Sequence, residues 1–267
     1  MLQLGMPTLI ETNTLDECAV LCRELQLDFV ELNMNLPQYQ LDRMDILHFK
    51  QIANQYGIFY TIHLDENLNI SDFNPYIAEG YRRTVTETIE LARELGIPII
   101  NMHLSCGVYF TLPDRKIYLF SRYREQYLKS ITHFRQICED AVGDSGIMIC
   151  IENCGGFPTF QKEALNFLLK SPVFGLTFDI GHNYGCGFLD EPYIMEHKIY
   201  LRHMHMHDAL DQKDHLALGT GALDLDKYLV LAKEQNCRIV LETKTVKGLK
   251  QSVHWMRNKG YGSCDRM

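Results

Sequence analysis

No stretch of this 267-residue sequence approaches the roughly 18 consecutive apolar residues that a membrane-crossing helix needs, so no membrane partner is expected. The opening MLQLGMPTLIETN also lacks the basic-then-apolar order of a signal peptide, and the expected location is the cytoplasm. Basic residues are in deficit: 26 Lys and Arg against 34 Asp and Glu leave a net charge of −8. That balance counts against a general nucleic-acid binder, whose affinity comes from cations at phosphates, although a local basic groove stays compatible with it. Nine cysteines are an odd number in no zinc-ribbon spacing, and they read as reduced thiols. A glycine-rich phosphate turn is missing after the first apolar run, where the chain has GMPTLIE (Gly5–Glu11), so a dinucleotide-binding open sheet is disfavoured. Nor is there a linker, a low-complexity tract or a second compositional regime, and a single domain over residues 1–267 is expected.

What is present is a regular alternation. Short apolar runs read as strands at Leu2–Gly5, Asp28–Asn33, Ile58–His63, Ile97–His103, Gly146–Glu152, Val173–Asp179, Ile199–His205 and Cys237–Glu242. Longer amphipathic stretches separate them, including Thr14–Leu25 with Thr14 and Glu17 in capping-box spacing, Met44–Tyr56 ended by Gly57, Pro75–Leu95, a helix near Tyr118–Val142, and Gln251–Lys259 at the end. Eight strand–helix units imply parallel strands, and that count in a chain this long predicts the α/β class as a closed (β/α)8 TIM barrel.

Polar residues fall at the ends of those strands. Glu31, His63, His103, Glu152, Asp179, His205 and Glu242 finish seven of the eight. The C-terminal strand ends of such a barrel converge on one mouth, so residues far apart in sequence meet there. An isolated strand-end histidine usually has only a packing role, and a carboxylate there often caps a helix. Seven together are different, because that many charges packed without a cation would repel and desolvate one another. Glu152, Asp179, His205 and Glu242, on the last four strands, therefore form the expected site for one divalent ion (Mn²⁺, Co²⁺, Mg²⁺ or Zn²⁺). A cation held this way can chelate a carbonyl and a neighbouring hydroxyl while a carboxylate removes the intervening C–H proton. Glu152 and Glu242, on the fifth and eighth strands, are the candidate acid and base.

The segments CIENCGG (Cys150–Gly156), FDIGHNYG (Phe178–Gly185), HMHMHD (His203–Asp208), LGTG (Leu218–Gly221) and LETK (Leu241–Lys244) resemble the xylose-isomerase-like TIM-barrel superfamily, across essentially the whole chain. That group holds sugar isomerases and ketose 3-epimerases, inosose-handling enzymes and the endonuclease IV branch of DNA repair. The resemblance implies that Glu152, Asp179, His205 and Glu242 are the metal ligands, that Glu152 and Glu242 also transfer the proton, and that His182 touches the substrate. It further implies a carbohydrate or cyclitol substrate and, as in many members, a homo-oligomer. The expected activity is a metal-dependent sugar, sugar-phosphate or cyclitol isomerase or epimerase.

The alternative within the superfamily is an endonuclease IV-type zinc phosphoesterase, whose ligand pattern matches at His63, His103, Glu152, Asp179, His182, His205, His215 and Glu242 and implies His63 and His103 as candidates for holding a second metal. Several departures bear on the choice. The ketose 3-epimerases have an Arg where this chain has Asp211. The endonuclease branch has an Asp where this chain has Lys213, and the side chain of the neighbouring Asp214 is expected to leave in another direction. That branch also inserts an aromatic-Leu wedge into the duplex, whereas this chain has LDENLN (Leu64–Asn69). Its Thr and Cys before the strand-six His are replaced by Ile180 and Gly181.

Some features stay two-sided at this level. His215 is a substrate-contact candidate, and the LGTG turn beyond it is either a phosphate cradle or a plain loop. Glu31 either bonds a sugar hydroxyl or caps the following helix. Cys150, on the same side as Glu152, reads as interior packing. Arg115, Lys116, Arg122 and Arg124 are an anion-attracting patch or a solvated face. Tyr109, Phe110, Tyr118 and Phe120 either cover the barrel mouth or pack within a lid or against a second subunit.

Overall fold

The computed structural model describes residues 2–261. Eight parallel strands close into a barrel: β1 (Gln3–Pro7), β2 (Phe29–Asn33), β3 (Phe59–His63), β4 (Ile99–His103), β5 (Met148–Glu152), β6 (Phe174–Asp179), β7 (Leu201–Met206) and β8 (Arg238–Leu241). They pair in the order β1-β8-β7-β6-β5-β4-β3-β2, and β2 returns to β1. This is the expected (β/α)8 architecture.

Local sequence sets the helix ends. Thr14 Oγ1 accepts the Glu17 N–H at 3.2 Å, while the Glu17 carboxylate takes the N–H of Asn13, one residue earlier than a reciprocal capping box would. Asp45 caps Ile46–Tyr56 and Gly57 ends it in the left-handed region (φ 64°); Asn74 and Pro75 start the long helix Pro75–Leu95. Outward-facing strand residues such as Ile149, Ile151, Leu176, Phe178, Met204 and Met206 are fully buried beneath these helices. Each such side chain contributes about 1.5–3 kcal/mol of transfer free energy, so this annulus holds the strand ends in place.

Two elements differ from the sequence reading. The single helix expected near Tyr118–Val142 is instead a hairpin (Tyr109–Thr111 with Lys116–Tyr118), a turn at Leu119–Arg122 and the helix Arg124–Val142. The hairpin captures Tyr118 because its ring packs on Tyr109 (5.5 Å) and the next N–H, on Leu119, donates to the Val108 carbonyl. The last helix runs Val246–Asn258, earlier than expected, because Thr245 Oγ1 accepts the Gly248 N–H at 3.1 Å. A second short hairpin, Asp208–Leu210 with Lys213–Leu216, follows β7 and folds over the mouth.

Candidate metal centre

Strand β7 is the local source of the site. Its sequence LRHMHM continues into His207, and period-two alternation turns His203, His205 and His207 inward while Met204 and Met206 face the helices. His205 occupies the middle of this column. Its register partner on β6 is Asp179, and Glu152 and Glu242 close the group from β5 and the end of β8. One ligand atom from each of Glu152, Asp179, His205 and Glu242 lies within 4.8 Å of the others, and all four residues are buried. His205 Nδ1 is 3.1 Å from Glu242 Oε2, 3.3 Å from Glu152 Oε1 and 3.9 Å from Asp179 Oδ2.

The donor set fits a divalent cation. His205 Nδ1, Glu242 Oε2 and His103 Nε2 are buried with no hydrogen-bond partner, a costly arrangement unless another group completes them. Three buried carboxylates also converge, and burial alone would raise their pKa. Instead the imidazoles hold Glu152 and Glu242 well below the usual carboxylate range and lower Asp179. The histidines respond in kind. Burial lowers His63, but Glu152 at 3.3 Å raises it to about 9; burial likewise opposes His182, which Asp179 and Glu152 carry to about 10. His205 moves up for the same reason. Protons on imidazole thus do in the metal-free chain what a cation would do in their place.

The surrounding residues aim this set. Asp179 caps the short helix Ile180–Gly185, accepting the His182 N–H, and is also 3.2 Å from His207 Nε2. His207 Nδ1 accepts the N–H of His215 at 2.8 Å, which leaves Nε2–H to donate to Asp179. Gly181 makes room for this: a Cβ there would sit 1.9 Å from His207 Cε1. His63 Nδ1–H donates to the Leu64 carbonyl (2.7 Å), so its Nε2 faces Glu152. Asn101 donates to the same carboxylate, and Lys244 Nζ lies 2.7 Å from Glu242 Oε1.

The second-ion candidates do not stand equal. His63, Glu152 and His205 form their own cluster within 4.8 Å, whereas His103 has one ionic contact, 3.3 Å to Glu152 Oε2, beside an edge-on ring contact with His63 at 5.1 Å. His182 Nδ1 reaches Glu152 Oε1 at 3.4 Å. His215 adopts φ 50°, uncommon for a residue other than glycine, and its Nδ1–H donates to the Glu242 carbonyl, leaving Nε2 4.0 Å from Asp214 Oδ2.

Several sequence expectations are corrected. Glu31 neither ends its strand nor caps a helix; it sits at the third position of β2, only 2% exposed, with both oxygens engaged by His203 and His205. A sugar hydroxyl cannot reach it. The LGTG turn is not a phosphate cradle, because the Gly219, Gly221 and Leu223 N–H groups all donate to the buried Asp208 carboxylate at 2.8–3.1 Å. A Cβ at Gly221 would meet Asp208 Oδ1 at 2.4 Å, so the turn wraps its own anion. Asp214 does approach: its carboxylate joins His182 and His215 within 4.8 Å. Phe120 belongs to the core, stacked on Tyr127 at 4.6 Å, while Tyr109 and Phe110 are exposed. In the basic stretch, Arg115 and Arg124 are paired with Asp114 and Glu163. Cys150, by contrast, is interior packing as expected, its thiol pushed by burial up to about 12.

Sequence reasoning passed over His203, His207, Asp208 and Lys244. The HMHMH alternation was the signal for the two histidines, since three residues of one type at period two must share a face; Asp208 and Lys244 had no comparable signal.

This chain belongs to the xylose isomerase-like TIM barrel family, whose model matches residues 19–259. Among known sequences it is similar to the uncharacterized protein MJ1188 of Methanocaldococcus jannaschii, at 23% identity over 217 residues covering 78% of this chain and 74% of that protein. Among solved structures it is similar to a D-tagatose 3-epimerase-like protein (23% identity, 96% of each chain, TM-score 0.76). The IolI protein, solved with a binding zinc atom, superposes with a TM-score of 0.73 at 16% identity over 97% of this chain and 96% of that one.

Proposed function

We propose that this protein is a metal-dependent isomerase or epimerase of a sugar or cyclitol, with Glu152 and Glu242 exchanging a carbon-bound proton. The observation that carries this is the four-residue cluster of Glu152, Asp179, His205 and Glu242 from the last four barrel strands. A divalent cation bound there would supply the Lewis acidity that holds adjacent substrate oxygens and stabilises the charge left when the C–H proton departs. The chain itself does the rest. Glu152 and Glu242 are ionised at neutral pH, so either can accept a proton from a carbon held between them. In an isomerisation the carboxylate that took the proton returns it to the neighbouring carbon; in an epimerisation the other, protonated from solvent water, delivers a proton to the opposite face and the first gives its proton back to solvent. His182 and His215, at the edge of the cluster, would bond substrate hydroxyls, and Lys244 keeps Glu242 charged. With the LGTG turn closed around Asp208, its N–H groups are not offered to a substrate phosphate.

A zinc phosphoesterase of the endonuclease type is the second reading, and the His182, Asp214 and His215 cluster favours it. Metal content per chain, followed by ketoses and inososes incubated with the loaded protein in D2O, separates the two. Deuterium entering the carbon beside the carbonyl supports the first reading. Absence of exchange with every substrate, together with cleavage of abasic-site DNA, overturns it.

A further inference from the structure

Beneath the four-residue cluster, Glu31 crosses the barrel interior from β2 to β7. Its Oε2 accepts the Nε2–H of His203 at 2.8 Å and the hydroxyl of Thr61 at 3.0 Å; its Oε1 lies 2.8 Å from His205 Nε2. His203 and His205 are wholly buried and Glu31 is 2% exposed, so no water substitutes for either partner. The His205 Nε2 contact is off the line of an ideal hydrogen bond, yet its electrostatics are unambiguous. Two lone pairs facing each other at that distance in a dry interior would repel strongly, so the nitrogen must carry the proton. Neither nitrogen of this ring has an aligned hydrogen-bond partner, and Nδ1 faces Glu152, Asp179 and Glu242, so the proton it carries in the metal-free chain is the one a cation would displace.

We propose that Glu31, braced by His203 and Thr61, is a positioning residue that fixes the proton of His205 on Nε2 and so makes Nδ1 the nitrogen offered to a divalent cation. This rests on the metal-site reading above. A carboxylate behind a ligating imidazole holds ring orientation and raises ligand basicity. Here one carboxylate serves two histidines of the same strand, and only an acceptor at both oxygens satisfies both. A Gln at this position has one oxygen and one NH2, so it would set a donor against a donor at one of the two rings. Moving the proton of that ring to Nδ1 relieves the clash. If the ring is His205, the ligating lone pair is lost.

The test compares wild type, Glu31→Gln and His203→Asn, using Zn²⁺ as the probe because it is diamagnetic. Affinity is read by competition with a chromophoric chelator, folding by circular dichroism, and the protonation of each imidazole nitrogen in the zinc-loaded protein by ¹⁵N NMR. The expected result is a folded Glu31→Gln whose zinc affinity falls about 10- to 100-fold. His203→Asn should lose less, roughly three- to tenfold by the same reasoning. In wild type, Nε2 of His205 should be protonated and Nδ1 metal-bound. A folded Glu31→Gln with wild-type zinc affinity overturns the proposal when ¹⁵N NMR still finds His203 protonated on Nε2; when that proton has moved to Nδ1, the clash has fallen on His203 and His203→Asn decides. If that variant does not fold, His203→Asn decides: unchanged affinity there overturns it, and a loss supports it. Failure of the wild type itself to bind zinc removes the metal reading, and is distinguished by arising before any variant is compared.

Discussion

At the N-terminal end of the barrel the interior is mostly apolar, with the Arg238 guanidinium laid over the Phe59 ring at 5.7 Å as the charged exception. Phe29 stacks on Phe59 at 5.0 Å, and Gly5 has no Cβ because one would lie 2.4 Å from the Phe29 ring. At the C-terminal end the same strands carry Glu152, Asp179, His205 and Glu242 into one buried group. Apolar side chains gain by leaving water whoever their neighbours are, whereas carboxylates lose unless a cation or a proton donor meets them. One end of each strand therefore stabilises the fold and the other end draws on that stability to hold charges in place. Glu31 and His203 lie between the two ends, a polar layer closed on itself beneath the mouth.

The sharpest way to break this comparison is at Glu152, which contacts His63, His103, His182 and His205 at 3.3–3.4 Å. Glu152→Gln should lower turnover by at least 10²–10⁴-fold, the usual worth of a positioned acid or base, while the chain stays folded. Deuterium exchange into substrate measures the first and thermal unfolding the second; near-wild-type exchange would remove Glu152 from the mechanism.

The opposite substitution belongs at the other end. Phe174 begins β6, is 2% exposed and packs on Phe134 at 6.0 Å, far from any ligand. Phe174→Ala should cost about 3–5 kcal/mol of stability. Zinc affinity of the folded protein should be unchanged, and a large loss of affinity would show that the two ends are not separable.

Gly181 sharpens the boundary. A methyl group there would collide with the His207 ring, which holds Asp179. Gly181→Ala should destabilise by roughly 1–3 kcal/mol, the common cost of overpacking, and should also weaken zinc binding. Loss of stability with full zinc affinity would mean that His207 does not aim Asp179.

Most of the architecture was legible in the sequence because strand and helix periods differ and eight alternations leave few topologies. Glu152, Asp179, His205 and Glu242 were legible because polar residues ending apolar runs must share the barrel mouth. Glu31 was misread by counting it as a strand end: the apolar run stops near Asn33, but β2 continues past Glu31 in register with β3, which places its carboxylate one layer down. Asp208 and the LGTG turn were ambiguous for a different reason. A loop that wraps a phosphate and a loop that wraps its own carboxylate use the same glycines, and only the fold shows which anion is there. The hairpin at Tyr109–Tyr118 was hidden because its pairing depends on contacts with the neighbouring loop and core.

The smallest expected effect is in the pH dependence of the metal-free protein. His63 and His182 are raised in the fold to about 9 and about 10, above the ordinary 6.5. A raised histidine contributes stability that is fully present below its unfolded pKa and is lost as pH rises through its folded pKa. His203 and His215 are lowered, so their contribution runs the other way and is lost as pH falls below about 6.5. The carboxylates Glu152 and Glu242, held low, lose theirs only at more acid pH. Metal-free stability should therefore be greatest near neutrality and decline between about pH 7 and 10, as His63 and then His182 give up their protons. With saturating Zn²⁺ the decline should vanish, because the cation takes the place of those protons and binds more tightly as they leave. Melting temperatures across that range, with chelator and with zinc, measure both curves. Parallel curves would mean that the protons on these imidazoles and the cation do not compete for the same carboxylates.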